Sequence, residues 1–294
     1  MKRLCIVDRN VTNLMLYNKF VVEKAIELEE ILSLDIMEEE KEVFKKAYDT
    51  KEFEGTSFLD NPKIVIFWNK KIVRQSHYCV FNYLSQHLIN PSPIAKQVYD
   101  DMVPTGLTAV ITTGDFTKRV IAGIRPMNVK AGKGFLGAPG VFMKMNINQV
   151  GRDIDLYSIL RAQVEFCVGH EIGLFPNEFS YDFRLTCLND YPEFRQVEVG
   201  VVGETKLKFR DIKFRSEHNP FEPDKHIHDF LLGLKEEEVI NFWDNNGPIA
   251  TAHGAMLLEA FGLSPETKIP MLDSDLANPH IPFEGNIREF LVEK

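Results

Sequence analysis

Residues 105–125 read TGLTAVITTGDFTKRVIAGIR. The run Leu107-Thr108-Ala109-Val110-Ile111-Thr112-Thr113 is rich in β-branched side chains and predicts a strand. Gly114-Asp115 predicts a turn, and Val120-Ile121-Ala122-Gly123-Ile124-Arg125 predicts a second strand returning as its hairpin partner. Beyond it, residues 131–140 hold Gly132, Gly134, Gly137 and Gly140, and backbone without Cβ atoms can approach a ligand closely. Residues 153–170 predict a helix, because Ile154, Leu156, Ile159, Leu160, Val164 and Val168 recur near helical spacing. Gly173 is the residue type that commonly stops such a helix.

Working outward from this stretch, residues 184–188 and 196–202 predict two strands, and residues 205–214 one more. Residues 235–243 and 251–261 predict helices, and the tail from Ser264 is rich in proline and turn residues. On the N-terminal side, residues 25–32 and 37–48 are acidic and made of helix formers. Strands are expected at 64–68 and 72–74 around the turn Asn69-Lys70-Lys71. Asn90-Pro91-Ser92-Pro93 is a loop signal ahead of a helix at 94–102. The texture changes there, so we divide the chain into an N-terminal α/β region, residues 1–103, and a second region, residues 104–294. The fold class is α/β (α+β).

Composition bounds the function. The chain has 294 residues, 44% of them hydrophobic and 26% charged, as in an ordinary globular protein. A net charge of −9 argues against a generic nucleic-acid coat, so no nucleic-acid partner is expected. No apolar run approaches the ~18–20 residues needed to cross a bilayer, and no membrane partner is expected. No apolar h-region follows Lys2 and Arg3, so a signal peptide is not expected. Cys5, Cys79, Cys167 and Cys187 form no C-x-x-C pair and no zinc spacing. Free thiols in a reducing cytoplasm are the expectation.

The order of hairpin, glycine-rich turn and long helix ending in Glu-x-Gly-Leu resembles the Nudix hydrolase superfamily. The residues that carry the resemblance are Thr108 to Asp115, Val120 to Arg125, the segment Gly134-Phe135-Leu136-Gly137-Ala138-Pro139-Gly140-Val141, and His170-Glu171-Ile172-Gly173-Leu174. It covers residues 105–262. It implies a mixed sheet sandwiched between helices. It also implies hydrolysis of a nucleoside diphosphate linked to another moiety, assisted by Mg2+ or Mn2+ held on helix carboxylates. The family's box reads G-x5-E-x7-R-E-U-x-E-E-x-G-U, where U is apolar. Aligned on Gly173-Leu174, its Arg-Glu falls on Phe166-Cys167, its paired glutamates on His170 and Glu171, and its upstream glutamate on Ser158. Glu171 alone keeps a box carboxylate. The spacing from Gly140 to Gly173 also exceeds that of the box, which implies an insert around residues 145–155, where lengthening a loop is cheap.

Glu171 keeps a box position and Glu165 is offered as a substitute acid, so these two are the catalytic candidates. Glu171, His170 and Asp155 are the metal-ligand candidates. Arg125, Lys133, Gly137 and Gly140 are candidates for substrate binding, since Arg presents a planar fork to phosphate. Spacing qualifies two of these roles. Glu165 and Glu171 stand about 240° apart around a helix, so they do not share a face. Asp155 sits where an acid suits the helix dipole. Lys130 also flanks the glycine-rich loop. His226-x-His228, with His218 and Asp229 nearby, matches no closed zinc site. His253 is expected to be a packed or surface histidine. Two functions stay open. One is a Nudix-like pyrophosphohydrolase. The other is a catalytically inactive Nudix-like protein that binds a small nucleotide-like ligand or a partner protein. A hydrolase should bring at least three carboxylates within about 5 Å of one point near Glu171, because magnesium needs several hard ligands.

Overall fold

The strand predicted around Leu107 lies inside the sheet, and helices cover both of its faces. The computed structural model describes residues 3–7, 19–22, 27–49, 63–67, 72–76, 78–101, 103–125, 127, 133–142, 151–191, 194–218, 230–245, 249, 251–263 and 291. In chain order the strands are β1 (Arg3–Val7), β2 (Lys19–Val22), β3 (Lys63–Phe67), β4 (Ile72–Ser76), β5 (Val103–Thr112), β6 (Val120–Ile124), β7 (Leu136–Gly137), β8 (Gly140–Phe142), β9 (Asp153–Asp155), β10 (Phe179–Tyr191), β11 (Phe194–Thr205) and β12 (Phe230–Leu234). The helices are α1 (Leu28–Leu32), α2 (Glu38–Tyr48), α3 (Tyr78–His87), α4 (Pro93–Asp101), α5 (Leu156–Ile172), α6 (Phe209–Glu217), α7 (Glu236–Asp244) and α8 (Thr251–Ala260). Among the described residues no helix is long and apolar enough to cross a membrane.

The strands form one mixed sheet in the order β1-β10-β11-β5-β3-β4-β2-β9, with β6, β7, β8 and β12 branching from it. β10 and β11 are a long antiparallel hairpin, and β11 runs parallel to β5. Side chains alternate across β5. Leu107, Ala109 and Ile111 pack with Leu160, Val164 and Ile172 of α5. Val110 packs on the opposite face, with Ala255 and Met256 of α8. This period of two is what the apolar run encoded. The expected mixed sheet between helices is therefore present. A third cluster, with Ile31, Phe44, Phe81, Leu84 and Ala95, draws only on α1 to α4 and the residues around them.

Three expectations are corrected. The strand Val120–Ile124 is not a full hairpin partner of β5, since the two share only Thr112↔Val120. β6 instead pairs along its whole length with β12. The edge of β5 is occupied by β8 and, near Val103, by β3. Residues 205–214 do not form a strand, for α6 begins at Phe209. Its cap comes from far away in sequence, because the Phe209 N–H donates to Asp115 Oδ2 at 2.8 Å. The long helix begins at Leu156, not 153: Asp155 is its N-cap, with extended backbone, and its side chain accepts from the Ser158 N–H. Gly173 ends that helix in the left-handed region, at φ 71°, as its residue type foretold. The turn at Asn69–Lys71, Lys130, His226, His228, Asp229 and the tail from Ser264 to Phe290 lie outside the described residues.

Glu40 ties α2 to the proline loop. Its carboxylate accepts from the Met37 N–H at 2.9 Å, the Ser92 N–H at 2.5 Å and the Ser92 hydroxyl at 2.8 Å. Burial alone would raise this carboxyl, but the Ser92 and Met37 donors together hold it below its ordinary value. A depressed value means stability that is present at neutral pH and lost as pH falls through it. Glu40→Ala should cost about 1–3 kcal/mol, because it strands those donors. Denaturant melts at pH 7 check this, and a wild-type midpoint in the variant would refute it.

Candidate functional site

The glycine-rich segment folds back on the end of β6. The Arg125 N–H donates to the Phe135 carbonyl and the Gly134 N–H to the Arg125 carbonyl, both at 2.9 Å. Gly134 takes φ 72°, a conformation that suits glycine. Gly123↔Gly137 and Ile124↔Leu136 then pair, and β8 passes alongside β5 with Thr108↔Gly140. Three further hydrogen bonds fix the segment. The Ala109 N–H donates to the Pro139 carbonyl at 2.8 Å. The Ala138 N–H donates to His253 Nδ1 at 2.9 Å, and the Gly140 N–H to Glu171 Oε2 at 3.2 Å.

Glu171 is buried in the last turn of α5, with 4% of its surface exposed. Burial pushes its carboxyl up to about 8, against the lowering effects of the Gly140 N–H, the Cys167 side chain and the nearby Arg125 charge. The group is thus largely protonated at neutral pH. Cys167 is itself buried and forms no disulfide.

The fold brings Glu171, Arg125, Gly137 and Gly140 into one neighbourhood. Arg125 approaches Gly137 closely: a Cβ on Gly137 would lie 3.8 Å from Arg125 Cδ. Lys133, half-buried, stands at the turn that leads into this segment. The remaining candidates are placed apart from it or turned elsewhere. Glu165 pairs with Arg161 on α5 at 3.6 Å. His170 stacks on Phe166, ring centroids 5.1 Å apart. Asp155 caps the opposite end of α5, about 24 Å from Glu171 at the helical rise per residue. The expected metal set of Glu171, His170 and Asp155 therefore does not converge, and Glu165 does not join Glu171.

A magnesium or manganese ion needs several hard oxygen ligands around one point. Among the described residues no group of three His, Cys, Asp or Glu side chains is placed to hold a metal. Glu171 is the single carboxylate beside the glycine-rich segment among the candidates, and its oxygen is already engaged by the Gly140 N–H. The described residues do not fit the metal that the resemblance implies.

Three residues outside the sequence-based candidate set support the segment from the other face of the sheet. Thr108 on β5 and Glu198 on β11 are both buried polar residues. The Thr108 hydroxyl donates to Glu198 Oε1 at 2.5 Å, and His253 Nε2 lies 3.3 Å from the same hydroxyl oxygen. His253, on α8, was expected to be a packed or surface histidine. Its ring packs against two glycines, and Gly137 leaves it room. A Cβ on Gly137 would come within 3.1 Å of His253 Nδ1, and one on Gly140 within 3.5 Å of His253 Cε1. One local signal was available: Glu198 is a lone acid in Val197-Glu198-Val199, and a buried charge needs a partner. Nothing local pointed to His253.

No family model and no curated protein matches the chain. Solved structures similar to parts of it include NrtR from Shewanella oneidensis, at 14% identity and a TM-score of 0.37, covering 53% of this chain and 61% of that one. The NUDIX domain of the same protein, complexed with ADP ribose, is similar at 14% identity and a TM-score of 0.34, over 60% of this chain and 96% of that one. A Nudix hydrolase from M. Smegmatis, RenU, is similar at 12% identity and a TM-score of 0.32, over 58% of this chain and 89% of that one. The match to full NrtR thus spans about three-fifths of that protein's length.

Proposed function

We propose that this chain is a Nudix-like protein that binds a nucleotide-like ligand without metal-assisted hydrolysis. Of the two functions the sequence left open, the lack of a converging carboxylate set around Glu171 among the described residues favours the second. Electrostatic stabilisation of a diphosphate transition state would need a metal cage. Instead one buried carboxyl is hydrogen-bonded to backbone. Arg125 and Lys133 supply positive charge at the mouth of the glycine-rich segment, and both keep part of their surface in solvent. A phosphate there would meet the Arg125 fork and the Lys133 point charge. The cytoplasm stays the proposed compartment, in keeping with a Cys167 that forms no disulfide.

The division at residue 103/104 belongs to the same proposal. It is supported by the helical cluster of residues 28–99, whose buried members all precede the boundary. Strand pairing nevertheless crosses it: β1 pairs with β10, β2 with β9, and Val65↔Pro104 joins β3 to β5.

Calorimetry with ADP, ADP-ribose and diadenosine tetraphosphate tests the function, alongside turnover assays in magnesium and in manganese. Saturable binding without turnover is expected. Arg125→Ala should weaken that binding about tenfold, the loss of one charge-assisted phosphate contact. Metal-dependent turnover that disappears in Glu171→Gln would replace this reading with hydrolysis, and the absence of both binding and turnover would also overturn it.

A further inference from the structure

We propose that His253 is the positioning residue of the ligand bed, holding the glycine-rich segment through a directional hydrogen-bond chain anchored on Glu198. This rests on the ligand-binding reading above. The direction follows from the donors. Because the Ala138 N–H donates to Nδ1, that nitrogen carries no proton. The neutral ring then bears its proton on Nε2, which faces the Thr108 hydroxyl oxygen at 3.3 Å. The same hydroxyl gives its own proton to Glu198 Oε1. Each member therefore sets the next: Glu198 orients the Thr108 hydroxyl, the hydroxyl oxygen selects the Nε2–H tautomer, and the tautomer leaves Nδ1 free to accept from Ala138.

The geometry puts this chain in a place where it controls the segment. Ala138 is buried, 1% exposed, so its N–H has no ready substitute in water if the imidazole leaves. Ala138 follows Gly137, whose missing Cβ leaves room for the ring. The segment is thus gripped at both ends of three residues: His253 holds Ala138 from the α8 face, and Glu171 holds Gly140 from α5. Gly137, which the sequence offered as a ligand-contact residue, serves first to admit this imidazole. Arg125 shares that space, its Cδ and the His253 ring both approaching the position of a Gly137 Cβ. Fixing the segment also fixes the Arg125 backbone, which is bonded to Phe135 and Gly134. Ligand binding to a segment ordered in advance avoids the entropy of ordering it on arrival.

Two measurements on the full chain test this. Amide exchange by NMR, without ligand, reads the grip on Ala138 directly, and calorimetry with ADP reads its consequence. In His253→Ala the Ala138 amide should exchange at least tenfold faster and ADP affinity should fall about tenfold. His253→Asn offers an amide oxygen close to the place of Nδ1 and should restore both to within about threefold of wild type. Thr108→Val removes the hydroxyl that selects the tautomer while keeping the side-chain shape, and should fall between the two. Unchanged Ala138 exchange in His253→Ala would overturn the proposal, and so would an Asn variant as impaired as Ala in both readouts. If His253→Ala does not fold, the Asn and Val variants decide it. Wild-type protein that fails to bind ADP while Ala138 exchange responds as expected would count against the ligand-binding reading and leave the positioning role standing.

Discussion

Glu171→Gln is expected to stabilise the protein at pH 8 and to change it little at pH 4. In the unfolded chain the Glu171 carboxyl titrates at its ordinary value of 4.5, whereas in the fold burial raises it to about 8. Between those values the folded state holds a proton that the unfolded state has released. Stability therefore declines as pH rises across that window, by roughly 1 to 2 kcal/mol per pH unit. The accumulated loss above pH 8 is about 5 kcal/mol. A glutamine is neutral throughout, and its carbonyl oxygen still accepts from the Gly140 N–H. The variant should consequently lose this component of the pH dependence and melt higher at pH 8. Denaturant midpoints at pH 4.5, 6.5 and 8 check the difference between the two proteins, which isolates Glu171 from the other titrating groups. Parallel pH profiles would refute it. Millimolar magnesium should not raise the wild-type midpoint, since one carboxylate is a poor cage for that ion. A rise abolished by Glu171→Gln would identify a metal site.

Phe81→Ala should cost about 3–5 kcal/mol. Phe81 is 1% exposed and stacks on Tyr99 with ring centroids 5.4 Å apart. It belongs to the cluster with Ile31, Phe44 and Leu84, which shares no buried member with the clusters on the two faces of β5. The loss should therefore fall on residues 27–101. Hydrogen exchange should speed up in α2, α3 and α4 while α5 and α8 keep their protection. Leu107→Ala, which opens a cavity between β5 and α5, should show the converse pattern. If each variant instead exposes the whole chain in one transition, the division at 103/104 fails and the cross-boundary pairing of β3 with β5 governs cooperativity.

The two glutamates show why burial alone does not set a carboxyl's behaviour. Glu40 and Glu171 are each 4% exposed. Glu40 meets three donors, two backbone N–H groups and a hydroxyl, and its value falls. Glu171 meets the backbone N–H of Gly140 and the side chain of Cys167, with Arg125 near, and desolvation prevails. One stabilises the fold at neutral pH and is structural in effect. The other is kept at a stability disadvantage there.

Local pattern was sufficient for much of the architecture. The alternation through Leu107, Ala109 and Ile111 marked a strand with a core face, because side chains on a pleated strand point to alternate sides. The glutamates ahead of lysines in residues 38–46 marked α2, and Gly173 marked the end of α5, because these are signals carried within a turn or two of chain. The helix α3 and the short strands β7, β8 and β12 were not marked, and α6 was misread as a strand. Its start depends on Asp115, 94 residues away in sequence, and a window on residues 205–214 contains no trace of that cap. The site divides in the same way. Arg125, Gly137, Gly140 and Glu171 were legible as residue types in a family-like order. Their partners were decided only by tertiary structure, since Thr108 meets Glu198 across 90 residues and His253 across 145. Sequence periodicity records which face of an element is buried. Which polar groups meet once those faces are buried depends on how distant elements pack, and that is where Gly137 became a seat for an imidazole and Glu171 became a buried carboxyl with a raised pKa.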